Sequence, residues 1–288
     1  MTLSPEKSSL FVVTGASTGM GAATTRALAA QGHFVLAGVR KESDGRALES
    51  ANVQPVILDI TRPEQIADLA SIVEADGRPL RALVNNAGIA VNAPVEALPM
   101  TEWRRQFDVN FFGHIEVTQA LMPALLRSRG RVVMMSSVGG RLAQPTYGAY
   151  SGSKYALEAV SDSLRRELAP HGVKVVIVEP GAVRTEMVGR GGATAKTLIA
   201  NMTPDQERRY GGLMHAILAQ SEGFLKDGVD AAVAGKIIAT AATNPRPRTR
   251  YTIGRDAAIL TRLARILPDR ALDRVLASAL RPLYPKAS

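Results

Sequence analysis

The chain has 288 residues, a length that favours one large α/β domain over two. It contains no cysteine, which excludes disulfides and thiolate metal sites. No two histidines have ligand spacing, so we expect no metal site; the four are His33, His114, His171 and His215.

The net charge of +9 is concentrated in residues 245–288, where ten Lys and Arg stand against three Asp. A basic tail of this kind can contact nucleic acid or anionic lipid, and a solvated helix face is the simpler interpretation. The tail lacks interleaved aromatic side chains, so we expect no nucleic-acid partner. The first ten residues are polar, unlike a secretory signal, and no apolar run reaches ~18 residues, so we expect a cytoplasmic protein.

The first two thirds of the chain alternate between short apolar runs and helical patterns. The runs predict strands at 10–13, 34–39, 53–58, 82–84, 131–135 and 174–178. The patterns predict helices at 21–31, 63–74, 101–126 and 150–169. This alternation predicts an α/β fold with a Rossmann-type, doubly wound parallel sheet in a single domain spanning residues 1–288.

The alternation stops after Pro180 and Gly181. Residues 183–226 show no clear strand, and we interpret them as a lid whose first part is mobile because of Gly189, Gly191 and Gly192. Further helices are predicted at 204–220 and 228–243, followed by a last strand at 250–253. Two amphipathic helices, at 256–266 and 269–280, form a C-terminal extension over about residues 255–288.

A glycine-rich turn, residues 14–21, joins the first strand to the first helix. Glycines let the backbone approach a pyrophosphate, and the helix N-terminus supplies free N–H groups for its negative charge. The spacing here is G-x-x-x-G-x-G, which differs from the usual dinucleotide pattern. The position of the turn after the first strand therefore carries more weight than its glycines.

The end of the second predicted strand bears on the choice of cofactor. Sites that prefer NAD generally place an acidic residue there to bind the ribose 2′-hydroxyl, and this chain has Val39 followed by Arg40. A guanidinium binds a 2′-phosphate well, which favours NADP(H). NAD(H) remains the less favoured alternative, because Glu42 lies close enough to turn inward.

Tyr150 and Lys154 stand at i and i+4 of a predicted helix, so their side chains share one face. A neighbouring ammonium favours a phenolate, and the pair could act as a general acid and base near neutral pH. Tyr and Lys at this spacing also occur by chance, so the pair alone is weak evidence.

The surrounding motifs resemble the short-chain dehydrogenase/reductase family in their order up to about Thr185. They are Thr14-Gly15-x-x-x-Gly19-x-Gly21, Asp59-Ile60, Asn85-Asn86-Ala87-Gly88, Asn110, Ser136-Ser137, Tyr150 with Lys154, and Pro180-Gly181 with Thr185. Ser137 precedes Tyr150 by thirteen residues and Asn110 precedes it by forty, spacings that also resemble the family pattern and select Ser137 over Ser136.

The resemblance implies an NAD(P)-dependent enzyme with four catalytic residues. Ser137 would bind the substrate oxygen, Tyr150 would deliver its proton, and Lys154 would lower the Tyr150 pKa and bind the nicotinamide ribose. Asn110 would hold a water that links Lys154 to solvent. The predicted cofactor-binding residues are Gly15, Ser17, Thr18, Gly19, Met20, Gly21, Arg40, Asp59, Ile60, Asn86, Ala87, Gly88, Tyr150, Lys154, Pro180, Gly181, Val183 and Thr185.

The tail pattern resembles the hydroxysteroid and retinol dehydrogenase branch, which implies a bulky apolar carbonyl or alcohol substrate. Apolar lid residues agree with this, although they could equally pack the underside of the lid: Met187, Val188, Leu198, Ile199, Met202, Leu213, Met214 and Ile217. The family also implies a homodimer or homotetramer. Two alternatives stay open: a weak peripheral membrane contact through the basic C-terminal helices, and a non-catalytic, NADP(H)-sensing regulator on the same fold.

Overall fold

A computed structural model describes residues 9–285 of the chain. The polar residues 1–8 and the last three residues of the predicted extension lie outside this range. Seven parallel strands form one sheet in the order β3-β2-β1-β4-β5-β6-β9, so the predicted doubly wound sheet is confirmed. The order reverses between β1 and β4, where the carboxyl ends of the strands leave a crevice that suits ligands.

The strands of this sheet are β1 (Leu10–Val13), β2 (Phe34–Val39), β3 (Val53–Ile57), β4 (Leu80–Asn85), β5 (Arg131–Met135), β6 (Lys174–Pro180) and β9 (Arg250–Ile253). Two further strands, β7 (Val183–Arg184) and β8 (Val229–Asp230), pair with each other outside it. The strands of the main sheet are mostly buried, as their continuous apolar sequences predict.

The helices are α1 (Gly19–Ala30), α2 (Glu42–Arg46), α3 (Pro63–Asp76), α4 (Met100–Phe107), α5 (Gly113–Ser128), α6 (Gly148–Leu168), α7 (Glu186–Ala200), α8 (Pro204–Asp227), α9 (Ala231–Thr243), α10 (Arg255–Ile266) and α11 (Asp269–Leu280). Short 3-10 turns occur at Val138–Gly140, Ala169–His171 and Arg281–Leu283.

The core lies on both faces of the sheet. On one face α1 and α9 pack through side chains such as Leu28 and Ile238. On the other, α3, α5 and α6 contribute Leu69, Leu121 and Leu157. Helices on both faces bury the central strands, which holds the carboxyl ends of β1, β4, β5 and β6 at fixed positions around the crevice.

The helix predicted at 101–126 is interrupted, which corrects that prediction. A π-helical segment, Asp108–Phe112, separates α4 from α5. Asn110 stands within this segment. Segments of this kind occur often at functional sites, because the wider turn changes the direction of the side chains that follow.

The predicted lid also differs from the expectation. The glycine-rich stretch expected to be mobile forms α7, and the segment expected to lack strands begins with β7. Because β7 pairs with β8, the two ends of the lid are joined at its base. Gly189 and Gly192 have open space where a side chain would stand, so a helix accommodates them at some cost in propensity.

The C-terminal extension packs over the lid and the crevice. Leu276 and Leu280 of α11 and Leu260 of α10 line a cavity beneath it, whereas Ile259 and Ile266 are exposed. Within residues 9–285, the structure has no helix that is both long and apolar enough to cross a membrane. The same part of the chain has no cluster of three or more His, Asp or Glu residues suited to a metal ion.

Candidate active site

The turn between β1 and α1 requires glycine at three positions. Gly15 and Gly19 have φ angles of 63° and 56°, in the left-handed region that other residues rarely adopt. At Gly21 a Cβ atom would collide with the main-chain oxygen of Gly15 and the side chain of Asn86. The turn therefore lies close against the end of β4 and exposes the first N–H groups of α1 to the crevice.

Asn86 holds this turn in place. Its Nδ2 donates to the main-chain oxygens of Thr14 and Gly15 at 2.9 and 3.0 Å. In return, the Thr14 hydroxyl accepts hydrogen bonds from the main-chain N–H groups of Asn86 and Ala87 at 2.9 and 3.0 Å. The glycine turn and the end of β4 thus form one rigid unit.

A cavity of about 530 Å³, which we call the glycine-turn cavity, opens beside this unit. The predicted cofactor residues that line it are Gly15, Ser17, Thr18, Gly19, Met20, Gly21, Arg40, Asp59, Ile60, Asn86, Ala87, Gly88 and Thr185. This arrangement fits the pyrophosphate of a dinucleotide. The turn has no side chains that would block its approach, and the N-terminus of α1 offers N–H groups to its negative charge.

Arg40 and Glu42 stand at the rim of this cavity, at the end of β2. Arg40 lines the cavity and has no ion pair within residues 9–285, whereas Glu42 is paired with Arg46 at 3.7 Å. At the end of β2, the cavity is therefore lined by the Arg40 guanidinium and not by the exposed Glu42 carboxylate.

A second cavity of about 300 Å³, the tyrosine cavity, adjoins the first. Thr185, Met187 and Gly88 line both. The predicted residues found here are Met20, Asn86, Gly88, Ser137, Tyr150, Lys154, Pro180, Gly181, Val183 and Thr185. Of the eight apolar lid residues proposed from sequence, three line it, namely Met187, Val188 and Ile217.

Tyr150 and Ser137 form the centre of the tyrosine cavity. The Ser137 Oγ accepts a hydrogen bond from the Gly139 N–H at 3.0 Å, which fixes its position at the end of β5. Burial raises the pKa of Tyr150 above its usual value, and a hydrogen bond with Ser137 partly offsets that rise. The tyrosine is therefore a neutral phenol at pH 7, held beside a serine hydroxyl.

Lys154 is buried one helical turn beyond Tyr150. Its Nζ donates to the main-chain oxygen of Met135 at 2.7 Å. Burial lowers its own pKa from 10.5 to about 8, with Glu158 acting in the opposite direction. Lys154 was expected to lower the Tyr150 pKa; the largest influence on that pKa in the structure is desolvation of the phenolate, which raises it.

Asn110 was expected to hold a water, and in the structure its amide contacts the main chain. Both polar atoms of its amide contact the main chain of Ile89: Oδ1 accepts from the N–H and Nδ2 donates to the oxygen, each at 2.9 Å. The side chain is fully buried. It therefore fixes the loop after β4, which lines both cavities, and its amide is not directed at the reacting groups.

A buried charge cluster lies behind Lys154. Arg250 of β9 contacts Glu158 at 2.9 Å, Asp162 at 3.1 Å and Glu179 at 3.3 Å. Burial and then the neighbouring Glu158 carboxylate raise the pKa of Glu179 to about 7. Glu179 directly precedes Pro180, so the cluster joins α6 and β9 to the strand end that lines the tyrosine cavity.

Comparison with known proteins decides the family. The model that describes short chain dehydrogenases matches residues 9–196. The chain belongs to the short-chain dehydrogenase family. The predicted family and its enzyme class, an NAD(P)-dependent oxidoreductase, are confirmed at that level.

Two relatives of this short-chain dehydrogenase cover nearly its whole length. One is an NADPH-dependent 3-dehydrocapnine reductase of Ornithobacterium rhinotracheale, 32% identical over 94% of the chain and 97% of the relative. The other is retinol dehydrogenase 5 of Mus musculus, 36% identical over 94% of the chain and 89% of the relative. The expected likeness to the retinol dehydrogenase branch is thus confirmed.

Solved structures agree with the fold of this short-chain dehydrogenase. A short-chain dehydrogenase from Streptomyces avermitilis has a TM-score of 0.75 and 29% identity, covering 96% of this chain and 97% of its own. One from Burkholderia cenocepacia, solved in complex with NADP, has a TM-score of 0.72 and 28% identity, covering 97% and 99%.

Sequence reasoning missed several residues of the site. Arg104, Arg105 and Arg190 also line the glycine-turn cavity, and Asp256 lines the tyrosine cavity. The arginines stand on helices with no motif to distinguish them from surface residues. Asp256 touches the loop after β6, 74 residues earlier in the chain, so only the folded structure brings it to the site.

Proposed function

We propose that the protein is an NADP(H)-dependent oxidoreductase that transfers a hydride between nicotinamide and the carbonyl or alcohol carbon of a bulky apolar substrate. The observation that carries this proposal is the Ser137–Tyr150 pair, with Lys154 behind it, in a cavity that adjoins the glycine-turn cavity. A proton donor and a hydride donor can therefore reach the same carbonyl group from adjoining cavities.

The chain's own residues supply binding, orientation and a proton. Ser137 donates a hydrogen bond to the substrate oxygen, and Tyr150 delivers its hydroxyl proton to that oxygen. The reduced nicotinamide, when bound, supplies the hydride. The alkoxide that develops is much more basic than a phenolate, so a tyrosine with a raised pKa still transfers its proton readily.

Lys154 and Asn110 have supporting roles in this proposal. In its charged form Lys154 binds the nicotinamide ribose and stabilises the phenolate that remains after proton transfer. Asn110 holds the loop around Ile89, which borders both cavities. Asn110 is therefore a positioning residue in this scheme, whereas Lys154 touches the cofactor.

Arg40 supports the preference for NADP(H), since it lines the glycine-turn cavity and Glu42 does not. Pairing of a planar guanidinium with a 2′-phosphate is strong and geometrically specific. One relative is an NADPH-dependent reductase and one solved neighbour is in complex with NADP, which also supports NADP(H).

The apolar lining supports a bulky apolar substrate. Besides the three lid residues, Leu142, Leu260 and Leu276 face the tyrosine cavity. Apolar walls with a few placed polar groups are typical of sites for large organic ligands. By their names, two relatives act on retinol and on 3-dehydrocapnine.

The partners and location of the protein also stay at the level of proposals. Exposed apolar side chains at Phe112, Leu126 and Tyr155, on and next to helices α5 and α6, support a homodimer or homotetramer. A weak membrane contact would have to use Ile259 and Ile266, since Leu260 and Leu276 face the cavity. A cytoplasmic location and the lack of a nucleic-acid partner stay predictions.

The test is a panel of bulky ketones and alcohols, monitored by the absorbance of NADPH and NADH, for the wild type and Tyr150→Phe. We expect turnover with NADPH that falls by at least about a hundredfold in Tyr150→Phe, since general acid catalysis contributes on this scale. Tyr155→Phe, on the same helix but outside the cavity, is the matched control and should keep its activity. Turnover that survives in Tyr150→Phe would contradict the mechanism.

A further inference from the structure

Helix α7 of the lid lines both cavities. Met187 and Arg190 line the glycine-turn cavity, and Val188 and Gly191 line the tyrosine cavity. Because Met187 and Arg190 are three residues apart, they share one face of the helix. Arg190 thus brings a positive charge from the lid to the cofactor cavity, and none of the roles described above uses it.

The start of α7 lies directly against the glycine turn. Thr185 directly precedes the helix, and its Cγ2 atom is 3.1 Å from the position that a Cβ atom on Gly19 would occupy. Gly19 is the first residue of α1. The first turn of α7 is therefore next to the N-terminus of α1, where a pyrophosphate fits.

The Arg190 guanidinium reaches back to this first turn of α7. Side chains on a helix lean towards its N-terminus, so Arg190 extends in the direction of Thr185. Its Nη1 atom lies 3.6 Å from Oε2 of Glu186, the first residue of the helix. The ion pair therefore places the guanidinium within one helical turn of the glycine turn.

The pair with Glu186 leaves the guanidinium free to change partner. The side chains of Arg190 and Glu186 are 63% and 62% exposed, and a pair so exposed contributes little to stability. Glu186 lines an open groove beside α1 and does not line the glycine-turn cavity. A pyrophosphate carries two negative charges and offers paired oxygens that match the planar guanidinium, so it can replace the carboxylate.

The position of Arg190 selects the pyrophosphate over the 2′-phosphate. Arg40, the proposed partner of the 2′-phosphate, stands at the end of β2, whereas α7 follows β6 and β7 in the chain. In the sheet, β2 and β6 lie on opposite sides of β1, the strand that leads into the glycine turn. Arg40 and Arg190 therefore approach the turn from opposite sides.

We propose that Arg190 binds the pyrophosphate of the cofactor from the lid and so ties α7 to the bound dinucleotide. The inference rests on the proposed binding of the dinucleotide in the glycine-turn cavity. It holds for NADPH and NADH alike, because both contain a pyrophosphate. Since α7 also lines the tyrosine cavity, the contact couples cofactor binding to the shape of the substrate site.

Calorimetric titration of the wild type and Arg190→Ala with NADPH, NADH and adenosine 2′-monophosphate tests the contact. We expect the Kd values of NADPH and NADH to rise by the same factor, roughly tenfold, the scale of one charge-assisted hydrogen bond. Adenosine 2′-monophosphate has no pyrophosphate, so its Kd should change by less than about twofold. Lys196→Ala is the matched control, since Lys196 is an exposed cation of α7 that lines neither cavity.

Hydrogen exchange of the main-chain amides of α7 tests the tie to the lid without measuring turnover. In the wild type, NADPH should slow exchange in Glu186–Ala200 by about threefold or more, because the bound cofactor holds the helix in place. In Arg190→Ala, saturating NADPH should give much less protection. The wild-type comparison needs no variant, so it holds even where the substitution disturbs folding.

A Kd that rises for NADPH but not for NADH would place Arg190 at the 2′-phosphate and overturn the proposal. Unchanged Kd values for both cofactors, or exchange in α7 that NADPH does not slow in the wild type, would overturn it as well. A wild type that binds both cofactors but reduces no ketone would contradict the proposed function alone, and the Arg190 contact would stand. A wild type that binds neither cofactor would contradict both.

Discussion

The Asp256 carboxylate accepts a hydrogen bond from the main-chain N–H of Ala182, with Oδ2 and N 2.7 Å apart. Asp256 stands in the first turn of α10, and Ala182 follows Pro180 and Gly181 at the end of β6. A side chain at Gly181 would collide with this carboxylate. The C-terminal extension thus holds the loop on which the proposed nicotinamide contact depends.

We expect Asp256→Ala to raise the KM for NADPH several-fold and to lower the melting temperature by a few degrees, because the Ala182 N–H loses its partly buried acceptor. Asp256→Asn keeps an acceptor oxygen, so its KM for NADPH and its melting temperature should lie much closer to those of the wild type. Asp269→Ala, in the first turn of α11, is the matched control. Steady-state kinetics and thermal melts would check this, and an unchanged KM in Asp256→Ala would contradict the role of the contact.

The sequence predicts the parts of this site that local spacing determines. The glycine turn follows a strand and begins a helix, and Tyr150 and Lys154 share one face of α6, so a motif is sufficient to find them. The alternation of apolar runs and helical patterns likewise predicts the sheet, because buried parallel strands need helices on both faces.

Features that depend on distant parts of the chain were not predictable in the same way. Asp256 gains its role only from Ala182, and the direction of the Tyr150 pKa shift follows from burial, which spacing does not reveal. The α7 helix was missed because three glycines suggest mobility when read locally. In the fold, the pairing of β7 with β8 closes the base of the lid and supports that helix.

Lys154 should make the protein less stable at neutral pH than an apolar residue would. Its pKa falls from 10.5 unfolded to about 8 folded, so the folded state has to bury a charge at pH 7. Between pH 8 and 10.5 the unfolded state retains the proton that the folded state has lost, and the free energy of unfolding rises with pH. We expect Lys154→Met to be more stable by about 2–3 kcal/mol at pH 7, an advantage that shrinks across this window.

Chemical denaturation of the wild type and Lys154→Met between pH 7 and 10.5 would measure this difference. Lys174→Met is the matched control, since the exposed Lys174 also donates to a main-chain oxygen, that of Pro245 at 2.6 Å. Lys174→Met should give no comparable increase in the free energy of unfolding at pH 7. A Lys154→Met protein that is less stable at pH 7, or whose difference does not change with pH, would contradict the prediction.

Arg250 balances two buried carboxylates, Glu158 and Glu179. Arg250→Met leaves them without their nearest cation and should cost roughly 3–5 kcal/mol. At pH values well above the Glu179 pKa of about 7, adding Glu179→Gln removes one of the two charges and should restore part of that loss. Denaturation of the single and double variants gives the coupling energy. Arg46→Met, which breaks an exposed pair with Glu42, should cost no more than about 1 kcal/mol.

The raised pKa of Glu179 also predicts that the stability of the protein depends on pH. Its pKa is raised from 4.5 to about 7 in the fold, so the folded state binds a proton that the unfolded state has lost between these values. Its contribution to the free energy of unfolding therefore falls as pH rises through this window. We expect the stability of Glu179→Gln relative to the wild type to increase from pH 4.5 to pH 7. A difference that is constant over this range would show that Glu179 does not titrate there.

Arg40 should distinguish the two nicotinamide cofactors. We expect Arg40→Ala to raise the KM for NADPH by about 10- to 100-fold, the value of a charge-assisted contact with a phosphate, and to leave the KM for NADH nearly unchanged. Lys41→Ala removes the neighbouring exposed cation, which does not line the cavity, and is the matched control. Fluorescence titration with each cofactor separates binding from turnover. Equal weakening of both cofactors would mean that Arg40 contacts a part of the dinucleotide that they share, and the argument for a 2′-phosphate contact would fail.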